Sequence, residues 1–331
     1  MKFRKVLSAT LALFAIIVCA QAQDTTSTSC VLRQSLDDAW WTGPMLAPSA
    51  ATLPQGHFLL EPYFYDVTTQ GQYDEHGVRH SAPHANDFGS LTYALYGLTD
   101  KFTVGMIPTG GYNDASNTPT GSSVGLGDLT LQGEYRLTQF RQGSWFPTTS
   151  IAVQETLPTA KYDHLDRLSD GFGAGAYTTT AAFYSQTYFW LRNGRILRMR
   201  FNVVPSFSNS VKVDDLSVYG TAQGFRGHAK PGSSIYVDAS WEYSLTRRLV
   251  LALDATYRYT ANTRVSGYNL LQPDSATTVT SLGISDSVAF APAIEYSWKH
   301  NLGVLLGTRL VATGHNTPAT ITPAIAINFV H

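Results

Sequence analysis

The chain has 331 residues, 23 Lys and Arg against 24 Asp and Glu for a formal net charge of −1, and a mean hydropathy of −0.08. That polarity excludes a bundle of membrane helices, and the balanced charge offers nothing to nucleic acid. Charged residues are 14% of the chain against the roughly 25% usual in soluble domains, while aromatics reach 12%, a composition suited to a surface that partly faces lipid.

The start, MKFRKVLSATLALFAIIVCAQAQ, joins the basic Lys2, Arg4 and Lys5 to an apolar stretch from Val6 to Val18 and to Ala20 and Ala22 in A-x-A spacing. It reads as a secretory signal peptide, residues 1–22, because the apolar stretch is shorter than the ~20 residues a membrane anchor needs. Cleavage removes Cys19 and leaves Cys30, so no intramolecular disulfide can form; it also leaves 20 basic against 24 acidic residues, a charge of −4.

Residues 23–56 form an N-terminal periplasmic or plug segment. Its Trp40, Trp41 and Met45 fit either the mouth of a barrel or the membrane interface, and interface packing is the favoured expectation.

From residue 57 to 331 polar and apolar side chains alternate in one segment after another. In LVLALDATYRY, Leu249, Leu251, Leu253, Tyr257 and Tyr259 fall on one face, with Asp254, Thr256 and Arg258 on the other, as the two-residue period of a strand requires. Counting such segments predicts about 12 strands, near 58–67, 89–97, 101–108, 125–138, 145–157, 174–191, 195–208, 232–245, 248–261, 284–298, 301–313 and 319–330. Short turns, such as Tyr96 to Phe102 and Tyr243 to Leu249, alternate with long polar links at 68–88, 109–123, 158–171, 209–231 and 262–281. Asn193-Gly194 predicts a two-residue type I′ hairpin. This sorting of links predicts an all-β fold, a transmembrane antiparallel up-and-down barrel with its short turns in the periplasm. Pro62, Pro205, Pro292 and Pro323 fall inside strands and are expected at bulges.

The polar face must point inward. Six charges on the lipid side, each costing up to roughly 2–4 kcal/mol, would exceed the ~5–15 kcal/mol stability of an ordinary domain. Candidates for a wet lumen lining are therefore Glu61, Asp128, Glu134, Arg136, Arg198, Arg200, Asp238, Glu242, Asp254, Arg258, Glu295 and Arg309. Bracing of the barrel is one reading of that network and selection of solutes the other. Tyr96, Tyr135, Tyr243, Trp190 and Trp298, near the turns, are expected in a periplasmic aromatic girdle.

His76, His80 and His84 recur at every fourth position and are weak metal candidates, because Gly77 and Pro83 break the helix that would align them. None of the 9 His sits in a nucleophile motif, so no enzyme is expected. The glycines at 110–111, 125–127 and 171–175 lack the Lys of a phosphate loop, and no cofactor is expected.

GLGDLTLQGEYRL at 125–137, the turn at 96–100 with FTVGMIPTG after it, and Leu157-Pro158-Thr159 resemble the outer-membrane barrel family named after the MetA pathway of phenol degradation. The resemblance, from about residue 57 onward, implies an exported barrel passing small aromatic or otherwise apolar molecules. The expected function is a channel or passive transporter for small solutes in the outer membrane of a Gram-negative bacterium. Its partners are then membrane lipid and the solute, with the oligomeric state open. The alternative is a non-transporting barrel acting as adhesin, receptor or structural protein.

Overall fold

Strand 249–260 of the computed structural model shows how the chain is sorted: Val250 and Asp254 have no accessible surface, while Leu251 and Leu253 between them are 42% and 40% exposed. The same alternation governs 12 barrel strands, here β1 (Phe58–Tyr73), β2 (Ala85–Thr99), β3 (Phe102–Ile107, resuming at Thr109–Ala115 after Pro108), β4 (Leu129–Thr138), β5 (Thr148–Leu157), β6 (Thr178–Trp190), β7 (Ile196–Ser208), β8 (Ser234–Ser244), β9 (Leu249–Thr260), β10 (Ser285–Lys299), β11 (Leu302–His315) and β12 (Thr317–Val330). The structure describes residues 32–115, 124–271 and 278–331; the signal peptide with Cys19, and Cys30, lie outside the described residues.

Each strand pairs antiparallel with its neighbour in sequence, and β1 pairs with β12 from Leu59 opposite Val330 to Tyr73 opposite Thr317. The sheet thus closes on itself. Closure is what hydrocarbon demands, since an open edge would leave backbone N–H and C=O groups unpaired where no water can reach them.

The prolines stand where expected, but not at bulges. At Pro205 and Pro292 pairing holds on one side, opposite Ile235 and Leu253, while on the other side two residues drop out of the ladder and the register resumes unshifted. A missing N–H costs one ladder bond and need not insert a residue. The register shifts fall elsewhere, four of the five being between Thr69 and Gly71, Gly97 and Thr99, Arg136 and Thr138, and Ser297 and Lys299, all near strand ends.

Three expectations about the links are corrected. The first long link is mostly strand, because β1 runs to Tyr73 and β2 begins at Ala85; its threonines and glutamines suit a ladder that water bathes above the membrane. Within 209–231 and 262–281, residues Val211–Asp214, Phe225–Lys230, Arg264–Asn269 and Thr278–Ser281 form a four-stranded sheet that continues β7 to β10 in the same neighbour order. Val211, Val213, Ala229 and Val265 bury its inner face against Ala176 of the 158–177 link. The Asn193-Gly194 turn is not type I′, since only Gly194 has positive φ, at 76°. Gly194 N–H donates to Leu191 O at 2.9 Å and Leu191 N–H to Arg195 O at 2.9 Å, a three-residue loop with glycine in the left-handed position. Between β11 and β12 the link is Asn316 alone, with φ of 49°.

Asp74 organises the turn after β1. Its carboxylate accepts the N–H groups of His76 and Val78 at 2.9 and 2.8 Å and contacts His80 Nε2 at 2.8 Å. The imidazole bond first, then the backbone bonds, lower its pKa from 3.8 to about 2. A depressed acid stabilises the fold above its ordinary value and loses that contribution as pH falls through the folded one. Amide protection of residues 76–80 should therefore fall between about pH 4 and pH 2. In Asp74→Asn it should already be low at neutral pH and insensitive to acid.

Candidate functional site: the interior of the barrel

Twelve strands enclose more room than their own side chains fill, since about 8 leave just enough and 16 leave an aqueous channel. Residues 34–55 occupy that room. Thr42 N–H, Thr42 Oγ1–H and Gly43 N–H all donate to Glu295 Oε2, at 2.8, 2.9 and 3.0 Å. Ala47 N–H donates to Asp254 Oδ1 at 3.3 Å, while Arg200 Nη1 donates to Ala47 O at 2.7 Å and Asn202 Nδ2 to Pro48 O at 3.0 Å. Met45 lies among Ala252, Ala291, Ala293, Leu305, Ala324 and Ala326, and only 8% of it is exposed.

Near the short-turn end of the barrel Gln34 bridges to the wall, taking the N–H of Ile196 on its Oε1 at 3.3 Å and the indole N–H of Trp190 on its carbonyl at 2.7 Å. Arg198 covers Trp41, its guanidinium carbon 4.4 Å from the ring centre, and Arg247 covers Trp40 at 4.6 Å. Interface packing of Trp40, Trp41 and Met45 is therefore not found. Trp41 and Met45 lie inside, where Arg198 offers a cation–π partner and the alanines leave space for the thioether, while Trp40 sits at the barrel mouth against Arg247 of the turn between β8 and β9.

The wall is cut to receive this segment. A Cβ on Gly97 would lie 2.1 Å from Pro54 O, and one on Gly303 2.1 Å from the Thr42 methyl. Only glycine permits so close an approach at these two inward positions.

Glu242 is the hub of the charges, with no accessible surface. Arg198 grips it in a fork, Nε bonding Oε2 at 2.6 Å and Nη2 bonding Oε1, and Arg200 Nε lies 3.3 Å from Oε2. Glu134, 5% exposed, accepts Ser150 Oγ–H at 2.6 Å, and Glu61 accepts Asn328 Nδ2 at 3.1 Å. Asp238 accepts the Tyr236 hydroxyl at 3.1 Å. Glu295 Oε1, Asp254 Oδ2 and Asp238 Oδ1 have no hydrogen-bond partner among the described residues. Arg136, Arg258 and Arg309 make no ion pair among the described residues.

The expected wet lining is thus dry at this level. Asp238, Ser240, Glu242, Asp254 and Glu295 are wholly covered, since chain 34–55 stands where water would be. Asp128 is placed differently from the rest: it precedes β4 and clamps the 158–177 link, accepting Ala160 N–H at 3.0 Å and Ala174 N–H at 2.8 Å. Trp190 turns inward to Gln34 and is not in the girdle, while Tyr96, Tyr135 and Trp298 are 46%, 45% and 48% exposed on the outer face. His76 and His80 lie in the Asp74 turn, and among the described residues no three His, Cys, Asp or Glu side chains converge on a metal position.

A closed barrel with an apolar exterior and a charged interior defines a transmembrane β-barrel of the outer-membrane type. The sequence pattern of the family described under the MetA-pathway of phenol degradation matches residues 56–314, and the chain belongs to that family. An outer-membrane channel from Pseudomonas putida F1 shares the fold, with a TM-score of 0.68 at 14% identity over 87% of this chain and 100% of that one. Fainter likenesses are to the NanC porin (TM-score 0.46, 8% identity, 82% of this chain and 98% of that one) and to the toluene transporter TodX of Pseudomonas putida (0.41, 11%, 91% and 98%), too remote to carry weight. No curated protein matches the sequence.

Glu242→Gln should expose the importance of the hub. Breaking a buried pair by removing one partner leaves uncompensated charge, here on Arg198 and Arg200, and costs about 3–5 kcal/mol. Denaturant unfolding in detergent micelles should show a loss of that order, with Ser240→Ala as a near-silent control.

Proposed function

We propose that this protein is an outer-membrane channel for small solutes, with residues 34–55 acting as an internal plug. The observation that carries the reading is that the interior is filled by a separate stretch of chain and not by the side chains of the wall. That stretch is held largely by hydrogen bonds to Glu295, Asp254, Arg200 and Asn202, with no covalent cross-link to the wall among the described residues. The seat is also incomplete: Glu295 and Asp254 each keep one carboxylate oxygen without a hydrogen bond, so little is lost when water replaces the segment's N–H groups. With the segment withdrawn, twelve strands leave a narrow passage lined by the same charges. The family's name and the outer-membrane channel of similar fold support this reading, as does the export signal in residues 1–22.

The alternative, a non-transporting barrel, draws on the same filled interior. Planar-bilayer recording separates the two. A variant lacking residues 34–53 should conduct more than the full chain; the channel reading is overturned if that variant folds, as judged by its heat-modifiable mobility in gels, yet neither conducts nor passes small solutes into liposomes.

The plug's seat can be tested without deleting it. Gly97→Val places its Cβ and two methyl groups where Pro54 O now lies, so residues 52–55 must leave the wall, and conductance should rise toward that of the deletion variant.

A further inference from the structure

Four of the interior arginines fall into two sets. Arg198 and Arg200 are paired with Glu242, and Arg200 also holds the plug. Arg258 of β9 and Arg309 of β11 are not: among the described residues neither has a carboxylate within ion-pair distance or a hydrogen bond to any acceptor. Both belong to the inward face, since Arg258 stands opposite buried Ser287 and Arg309 opposite buried Thr322. Both also lie further toward the outer ends of their strands than Ala252 and Leu305, which belong to the buried cluster around Met45. The nearby acids each bond another group, Asp238 the Tyr236 hydroxyl, Asp254 the Ala47 N–H and Asp286 His315 Nδ1 at 2.9 Å, and although Asp238 and Asp254 each keep one oxygen without a partner, neither pairs with these arginines.

Two further observations mark a built site. The Arg258 guanidinium lies over the Tyr236 ring, 4.9 Å from its centre, and the bond from that hydroxyl to Asp238 fixes the ring. Stacking orients a guanidinium while leaving its in-plane N–H edge free for a bidentate acceptor. Strand β10, which lies between β9 and β11, turns only Ser287, Ala289 and Ala291 inward at this height, so no long side chain of that strand separates the two cations.

From this we infer that Arg258 and Arg309 form an anion site on the outer side of the plug, taking the carboxylate of a small organic acid whose ring or chain lies against the neighbouring tyrosine. The inference rests on the channel reading for its purpose but not for its test, since binding to the full chain requires no passage. Carboxylate is the fitting class because a planar fork of N–H groups matches a planar pair of oxygens, and because an unpaired cation in a narrow lumen is offset by a solute that carries the missing charge.

Benzoate and, as its uncharged counterpart, benzyl alcohol serve as probes in calorimetric titration of the full-length protein in micelles. Benzoate should bind at least about tenfold more tightly than benzyl alcohol, and Arg258→Gln/Arg309→Gln should weaken benzoate by about tenfold or more while leaving benzyl alcohol unchanged, a tenfold change being 1.4 kcal/mol. Equal affinity for the two probes, or equal benzoate affinity in the two proteins, would overturn the site. Should the double variant not fold, Arg309→Gln alone must show weakened benzoate binding, and its failure to do so is equally decisive. Benzoate binding by a protein that never conducts would remove the channel and keep the site; conduction with no preference for benzoate would remove the site and keep the channel.

Discussion

Hydrocarbon cannot hydrogen-bond a peptide group, and that single constraint governs this molecule. It forces β1 to find β12 across more than 250 residues of chain, as in the contact of Leu60 with Phe329. It sends leucine, isoleucine and phenylalanine outward, where lipid receives them, and confines every other requirement of the chain to the interior. The interior then inherits the opposite problem. Charges collected there must find partners among themselves or in whatever enters, and here both happen: Glu242 answers two arginines of the wall, and the backbone of residues 42–47 answers Glu295 and Asp254.

The fold was legible because the constraint writes itself into the sequence with a period of two. The 12 expected strands coincide with those observed to within a few residues in most cases, and errors cluster where the constraint ends. Beyond the apolar belt the signal weakens: Thr68 to Gln72 carry no large apolar side chain, and the alternation of Val211 to Asp214, with Val211 and Val213 buried, spans too few residues to separate from a loop. The type of the Asn193-Gly194 turn depended on whether Asn193 took positive φ, a choice the dipeptide leaves open.

The interior segment was not legible in the same way, because residues 34–55 have no regular structure beyond one short helical turn and hence no period. A signal was nonetheless present on the other partner. The inward positions of β10 to β12 include Ala291, Ala293, Gly303, Gly307, Ala324 and Ala326, a patch too small and too apolar to line an open aqueous pore. A stripe of small residues opposite a ring of charges implies that something solid lies between them. Asp128 misled for a related reason: alternation places a side chain on a face but does not say where along the strand the wall gives way to the rim.

The hydrogen bonds from Thr42 to Glu295 join groups 253 residues apart, while the segment itself leads directly into β1. Its binding surface is made by strands that lie near the end of the chain, so the seat does not exist until those strands have been laid down. Assembly of this molecule therefore has an intrinsic order, in which the first stretch of the unit to be synthesised is among the last to reach its place. Until then, the acids of the lumen remain hydrated and the nascent ring stays open to water.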